Sequence, residues 1–257
     1  MLLAVDIGNS SVTLGLFSED GALRFRCAAE TVRGKSVDEY AVLFRSLFLL
    51  RDADPKCVTE SILSSVVPPV THAVSRAIEI LTGILPLRVG PGIKTGLRIR
   101  IDTQTQLGSD LVADAVAASV AFPAPMVIVN LGTATTFTVI DRDGILDGVI
   151  IAPGVRVSMN ALAEYGAELP DISVAPPKRM IGKNTGESMQ AGVLFGHAAM
   201  LDGMVKRIEK ELGESSLTVA VTGGLAETVL PYCETKCVHC PDLTLRGLYL
   251  IAGKNKR

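Results

Sequence analysis

Apolar and polar positions alternate in short runs at the start of the chain, shift to helical spacing, and repeat both patterns past the middle. Leu2–Asp6, Ser11–Phe17 and Leu23–Ala29 read as three strands, with turns at Gly8-Asn9 and Asp20-Gly21. Val37, Tyr40, Ala41, Leu43, Phe44, Leu47 and Phe48 mark one face of a helix over Ser36–Leu50. Glu60–Val66 is a short apolar strand, Pro68–Thr82 a helix opened by proline, and Val89–Gly96 a glycine-punctuated loop. The Ala- and Val-rich stretch Gln106–Phe122 follows Gly108-Ser109-Asp110 and predicts a helix closed by Pro123. Met126–Leu131, Thr135–Asp141 and Ile145–Ile151 then predict a second three-stranded meander. A long amphipathic helix is expected over Asn184–Leu212, with Asn184 and Glu187 as a capping box. A strand over Leu217–Val221 and a helix over Asp242–Ala252 close the chain.

The two meanders repeat each other. AVDIGNSSVTLGLF from Ala4 and IVNLGTATTFTVID from Ile128 share a strand, an acidic or amide residue, a glycine turn of small polar residues, and a second strand. A duplicated β-β-β-α-β-α layout accounts for this. It predicts an α/β chain of two halves, 1–115 and 116–257, with a cleft between them.

Composition narrows the ligand. The 257 residues are 48% hydrophobic and 20% charged, enough for a sizeable core, and the formal charge is -2. That balance, with 4% aromatics, argues against nucleic acid and against an anionic membrane. The chain opens without a basic lead or cleavage-like site, and its five cysteines are odd in number, so reduced thiols and a cytoplasmic location are expected. The 24 glycines, many beside Asp, Asn, Ser or Thr, draw attention to loops.

Three of those loops suit phosphate chemistry. Asp6 ends a buried strand before Gly8-Asn9-Ser10-Ser11, where small residues let backbone N–H groups approach phosphate oxygens and the carboxylate can hold Mg²⁺ through water. Gly132-Thr133-Ala134-Thr135-Thr136 is the second copy, and two such loops facing each other would clamp a polyphosphate. Thr222-Gly223-Gly224-Leu225-Ala226 follows a strand and would admit a base or ribose, or be a plain turn. By position alone Asp110 reads as the cap of the helix from Leu111. Cys233, Cys237, His239 and Cys240 form C-x₃-C-x-H-C, a weak metal candidate without a second ligand pair, and are read as unliganded thiols. His197 reads as a core or dimer contact.

In this order and spacing the three loops resemble the phosphate and adenosine motifs of the actin-like ATPase and sugar-kinase superfamily. VGPGIKTGL, Gly108-Ser109-Asp110, GTATTFTVID, Pro153-Gly154, GKNTGESMQAG, TGGLA and LTLRGL together resemble type III pantothenate kinase over nearly the whole chain. The resemblance implies duplicated ribonuclease-H-like domains with ATP in the cleft, a homodimer, and phosphorylation of pantothenate to 4′-phosphopantothenate at the start of coenzyme A synthesis. It places the catalytic base on Asp110 and Mg²⁺ near Asp6. It places ATP contacts on Gly8, Asn9, Ser10, Ser11, Thr13, Gly132, Thr133, Gly223 and Gly224. Substrate contacts would come from Gly108, Ser109, Asp110, Leu111, Thr185 and Ile101.

Four positions depart from the family pattern. The family's G-x-D-R ends in Leu111, which removes a carboxylate-binding arginine. Asn130 replaces an aspartate that holds a monovalent cation, K⁺ or NH₄⁺. Ile101 aligns with a substrate-facing tyrosine and Gln104 with a proline. Lys94, Arg98 and Arg100 lie close upstream, either as compensating cations or as surface charge. The alternative to a pantothenate kinase is a nucleotide-binding paralogue, regulatory or acting on another small hydroxylated compound.

Overall fold

The two meanders build two sheets of the same topology in the computed structural model, which describes residues 1–103 and 107–256. β1 (Leu2–Ile7), β2 (Ser11–Phe17) and β3 (Leu23–Glu30) are antiparallel neighbours. After helix α1 (Val37–Leu49), strand β4 (Glu60–Ser65) returns parallel to β1. Helix α2 (Pro68–Thr82) leads to the short β5 (Leu87–Arg88), giving the order β3-β2-β1-β4-β5. Ser36 caps α1 with a complete capping box to Glu39, and Gly83, in the left-handed region, ends α2.

The second sheet repeats this order. β7 (Met126–Leu131), β8 (Ala134–Ile140) and β9 (Ile145–Pro153) form the meander, β10 (Thr218–Thr222) returns parallel to β7, and β11 (Val238–His239) pairs with β10. The order β11-β10-β7-β8-β9 is extended by β6 (Arg98–Ile99) on the far edge. The inheritance is visible residue by residue. β1 and β7 bury every position except the fifth, which is Asp6 in one and Asn130 in the other. β2 and β8 also share one burial pattern. Each unit is ribonuclease-H-like, as the family resemblance implies, and the repeated order bears out the duplication.

Helix α3 (Ser109–Ala121) precedes β7, while α4 (Val155–Tyr165) and the 28-residue α5 (Thr185–Leu212) follow β9. The one-turn α6 (Ala226–Val229) and the closing α7 (Leu243–Lys254) complete the chain. α4 was not expected. Its segment carries β-branched Val155 and Val157 and an internal Asn160, residues of modest helix propensity, and Gly154 at its start offers no capping side chain.

The chain divides into two compact units: Met1–Gly96, Asp102–Ala117 and Leu243–Arg257 in the first, Leu97–Ile101 and Ala118–Asp242 in the second. The first packs β1, β2 and β4 against α1 and α2 through Val5, Leu14, Leu63, Tyr40, Phe44 and Val74. The second packs β7, β8 and β10 against α5 through Val129, Phe137, Val221, Leu194 and Leu201. The C-terminal helix α7 belongs to the first unit. It approaches α3 so closely that a Cβ on Gly247 would stand 1.9 Å from the Ala113 carbonyl oxygen. Gly247→Ala is accordingly expected to cost about 1–3 kcal/mol by forcing the helices apart. At roughly 2–4 °C per kcal/mol for a chain of this size, the loss would show in thermal denaturation, and an unchanged Tm would mean that the contact yields freely.

Candidate active site

The first unit gathers three carboxylates at the ends of its central strands. Asp6 lies opposite Thr13 on β2 and Ser64 on β4. The turn that follows is closed by Gly8 N–H donating to the Ser11 carbonyl at 2.9 Å. Thr31 steadies it from the end of β3, its hydroxyl donating to the Gly8 carbonyl at 2.7 Å and its N–H to that of Ser10 at 3.1 Å. Asn9 and Ser10 are left exposed at the tip.

Asp110 reaches the same region because α3 is pinned to β4. The Ser109 hydroxyl lies 2.9 Å from the Ser64 hydroxyl and accepts the Ser65 N–H at 3.0 Å. Helix α3 begins at Ser109, so Asp110 sits inside the first turn and is not the residue that precedes the helix. Its Oδ1 would stand 2.4 Å from a Cβ on Gly108, which explains the glycine there. Asp114 is one turn further along α3, fully buried, and accepts a 2.6 Å hydrogen bond from the Thr244 hydroxyl on α7.

The electrostatics follow from burial. Asp6 is pushed up from 3.8 to about 8, first by desolvation and then by the charges of Asp110 and Asp114, against a hydrogen bond from Ser64 that pulls it down. Desolvation also raises Asp110, opposed by backbone N–H groups at Leu111 and at Asp110 itself. A carboxyl near its ordinary pKa would have sufficed for the expected base; burial instead moves it toward neutrality. Oδ1 of Asp6 and Oδ1 of Asp110 are buried without a hydrogen-bond partner. An orphaned oxygen on each of two carboxylates, beside a third buried charge, fits a divalent cation that keeps most of its waters and takes one or two carboxylate ligands. Among the described residues no group of three or more His, Cys, Asp or Glu side chains is arranged to hold a metal.

The second unit reproduces the turn with one residue fewer. Gly132 N–H donates to the Ala134 carbonyl at 3.1 Å, and Thr136 lies opposite Asn130 as Thr13 lies opposite Asp6. The hydroxyls of Thr135, Thr136 and Thr138 are buried without partners. Thr133 is exposed at the tip. Gly154 packs over this turn: a Cβ there would meet the Thr133 carbonyl oxygen at 2.2 Å. Gly223, at φ +101°, lies against the Leu131 backbone, a conformation and a proximity that only glycine allows, while Gly224 faces open space.

The remaining candidates divide. Leu111 is buried and Ile101 half-buried, and Thr185 is exposed at the first turn of α5, where Asn184 caps by accepting the Glu187 N–H at 2.9 Å. Gln104 lies outside the described residues. Arg100 is committed to Asp141 at 2.6 Å and Asp147 at 2.7 Å, and Arg98 donates to the Asp143 carbonyl, so neither stands free to replace the missing arginine. The Cys233 and Cys237 thiols are pushed up to about 12 and about 11, by burial first and by Asp202 second. Asp202 itself accepts the N–H groups of Glu234 and Thr235 at 2.9 and 2.8 Å. No helix among the described residues is long and apolar enough to cross a membrane. Ser64 and Asp114 escaped the sequence reading, and Thr244 was read only as part of LTLRGL, with no role of its own. Only the i, i+4 spacing of Asp114 from Asp110 could have pointed to one of them.

Comparison with known proteins bears on this geometry. The type III pantothenate kinase family matches residues 2–207. Proteins described as type III pantothenate kinase from Exiguobacterium sibiricum and Myxococcus xanthus are each 40% identical, covering 100% and 99% of both chains respectively. One from Listeria innocua is 38% identical over 100% of this chain and 98% of its own. Among solved structures, the activator of the 2-hydroxyisocaproyl-CoA dehydratase from Clostridium difficile, with bound ADPNP, superposes with a TM-score of 0.60 at 13% identity, covering 98% of this chain and 94% of its own. Component A of the Acidaminococcus fermentans (R)-2-hydroxyglutaryl-CoA dehydratase gives 0.56 at 12%, covering 98% and 95%. These two likenesses concern the fold alone.

Proposed function

The chain belongs to the type III pantothenate kinase family, whose reaction is the ATP-dependent phosphorylation of pantothenate, and we propose that Asp110, Asp6 and the small-residue turns carry that reaction here. The observation behind this reading is the pair of orphaned carboxylate oxygens on Asp6 and Asp110 in a family that uses ATP with Mg²⁺.

Asp110 accepts the proton of the primary hydroxyl of pantothenate as that oxygen attacks the γ-phosphorus of ATP. The bond to the β–γ bridging oxygen breaks, and ADP leaves. A carboxyl lifted by burial is a better base than an ordinary one. Mg²⁺, when bound, supplies charge neutralisation at the phosphate oxygens, and Asp6 is the residue to hold it. Gly8, Asn9, Ser10, Ser11 and Thr13 approach the phosphates from the first turn. Gly132 and Thr133 do so from the second, and Gly223 and Gly224 approach the nucleoside. Gly108, Leu111, Ile101 and Thr185 belong to the pantothenate side. A homodimer belongs to the same reading: Tyr165, Met180 and Ile181 are exposed at 83%, 69% and 76%, apolar side chains of the kind subunit contacts cover.

Leu111 cannot pair with the carboxylate of pantothenate, and Arg100 is engaged elsewhere. A double variant, Leu111→Arg with Asn130→Asp, is therefore expected to lower the KM for pantothenate roughly tenfold to a hundredfold and to steepen the dependence of rate on K⁺. Mass detection of 4′-phosphopantothenate from purified protein, ATP, Mg²⁺ and KCl tests the whole reading. ADP release with another hydroxylated compound and none with pantothenate would favour a paralogue of altered substrate.

A further inference from the structure

His197 lies on α5 at 7% exposure, with each ring nitrogen facing a backbone carbonyl. Nδ1 is 2.7 Å from the Val193 oxygen one turn back, and Nε2 is 3.2 Å from the Pro153 oxygen at the end of β9. Both oxygens can only accept, so a neutral ring serves one of them and a doubly protonated ring serves both. The Pro153 bond crosses 44 residues of sequence and reaches an unusual place. Pro153 pairs with Ala134 at the last rung of the β8–β9 ladder, and the next residue is Gly154. Gly154 rests on the Gly132-Thr133 turn, where a Cβ would stand 2.2 Å from the Thr133 oxygen and 2.5 Å from that of Gly132.

We propose that His197 is a positioning residue for the Gly132-Thr133 turn, acting through the Pro153 carbonyl that its Nε2 faces. The corner at Pro153-Gly154 forms the floor under the turn. The two backbones pack with no room for a side chain between them, so the turn has little freedom to stay in place if the floor moves. The tie from α5 fixes the floor to the longest helix of the unit, whose inner face is locked by Val193, Leu194 and Leu201. This inference rests on the reading of Thr133 as an ATP contact, and it concerns ATP rather than pantothenate.

Three variants separate the two hydrogen bonds. His197→Gln places an amide N–H near the former Nε2 and keeps the donor to Pro153. His197→Asn reaches only as far as Nδ1 and keeps the bond to Val193. His197→Phe keeps the ring and neither donor. The ATP KM, the Kd of a non-hydrolysable ATP analogue, the pantothenate KM and the Tm would be measured for each. His197→Asn and His197→Phe are expected to raise the ATP KM and the analogue Kd about twofold to tenfold, with the pantothenate KM unchanged and His197→Gln restored toward the unaltered chain. Equal behaviour of the Asn and Gln variants, or a Tm change without a nucleotide effect, would make His197 a core residue only. Thr133→Ala serves as the control. If it leaves nucleotide affinity unaltered, the turn is no ATP contact and the underlying reading fails. If Thr133→Ala weakens nucleotide binding while His197→Asn does not, the inference about His197 alone fails.

Discussion

Asp110→Asn is expected to lower kcat by roughly 10²–10⁴-fold, the usual contribution of a positioned general base. The amide keeps the shape of the side chain and the acceptor for the N–H groups of the first turn of α3, so nucleotide affinity should change little. Thermal stability should hold or rise, because a buried carboxylate whose Oδ1 has no partner is removed. The pH profile supplies a second readout. Burial raises the Asp110 carboxyl, so the acid limb of kcat/KM should fall above the pH range of an ordinary aspartate and disappear in the residual activity of the variant. A variant that turns over at the rate of the unaltered chain would remove Asp110 from the chemistry and leave it as part of the helix start.

The second large effect belongs to Asp6. Asp6→Asn is expected to weaken Mg²⁺-dependent ATP binding roughly tenfold to a hundredfold, the range of a charge-assisted interaction. It should also change how stability depends on pH. Asp6 titrates at about 8 in the folded chain against 3.8 in the unfolded one, so the folded state holds the proton more tightly. Its stabilising contribution is complete below about pH 4 and is lost progressively as the pH rises toward 8, with a limiting slope of about 1.4 kcal/mol per pH unit. Asp110 acts in the same direction. Without nucleotide and Mg²⁺, the Tm should therefore fall between pH 5 and pH 8, and Asp6→Asn should flatten that fall. A flat profile for the unaltered chain would mean that the cluster is solvated well enough to ionise at no cost.

Much of this site was legible before any coordinates. The alternation around Asp6 and around Asn130 marked matching strands, and the small polar residues after each marked turns. Registers that put Thr13 opposite Asp6 and Thr136 opposite Asn130 bear out that duplication. The helix starts were displaced by a residue or more where a capping side chain, such as Ser36, stands outside the helix it serves. α4 stayed unread because Gly154 offers no capping side chain and Val155, Val157 and Asn160 favour a helix only weakly. Arg100 shows the opposite limit. Its charge and position suggested a spare cation, and nothing local revealed that Asp141 and Asp147 already hold it.

The sequence by itself determined the elements, their duplication and the chemical character of the loops, because strand and helix periodicity and turn chemistry are properties of neighbouring residues. The match of joined motifs along the chain determined the family. Tertiary structure decided what depends on distant residues meeting. It placed α7 in the first unit, where Thr244 holds Asp114, and it raised Asp6 and Asp110 by taking them out of water beside one another. It also set His197 against Pro153. Solvation and charge proximity are set by how elements pack, and no local pattern encodes the distance between residues a hundred positions apart.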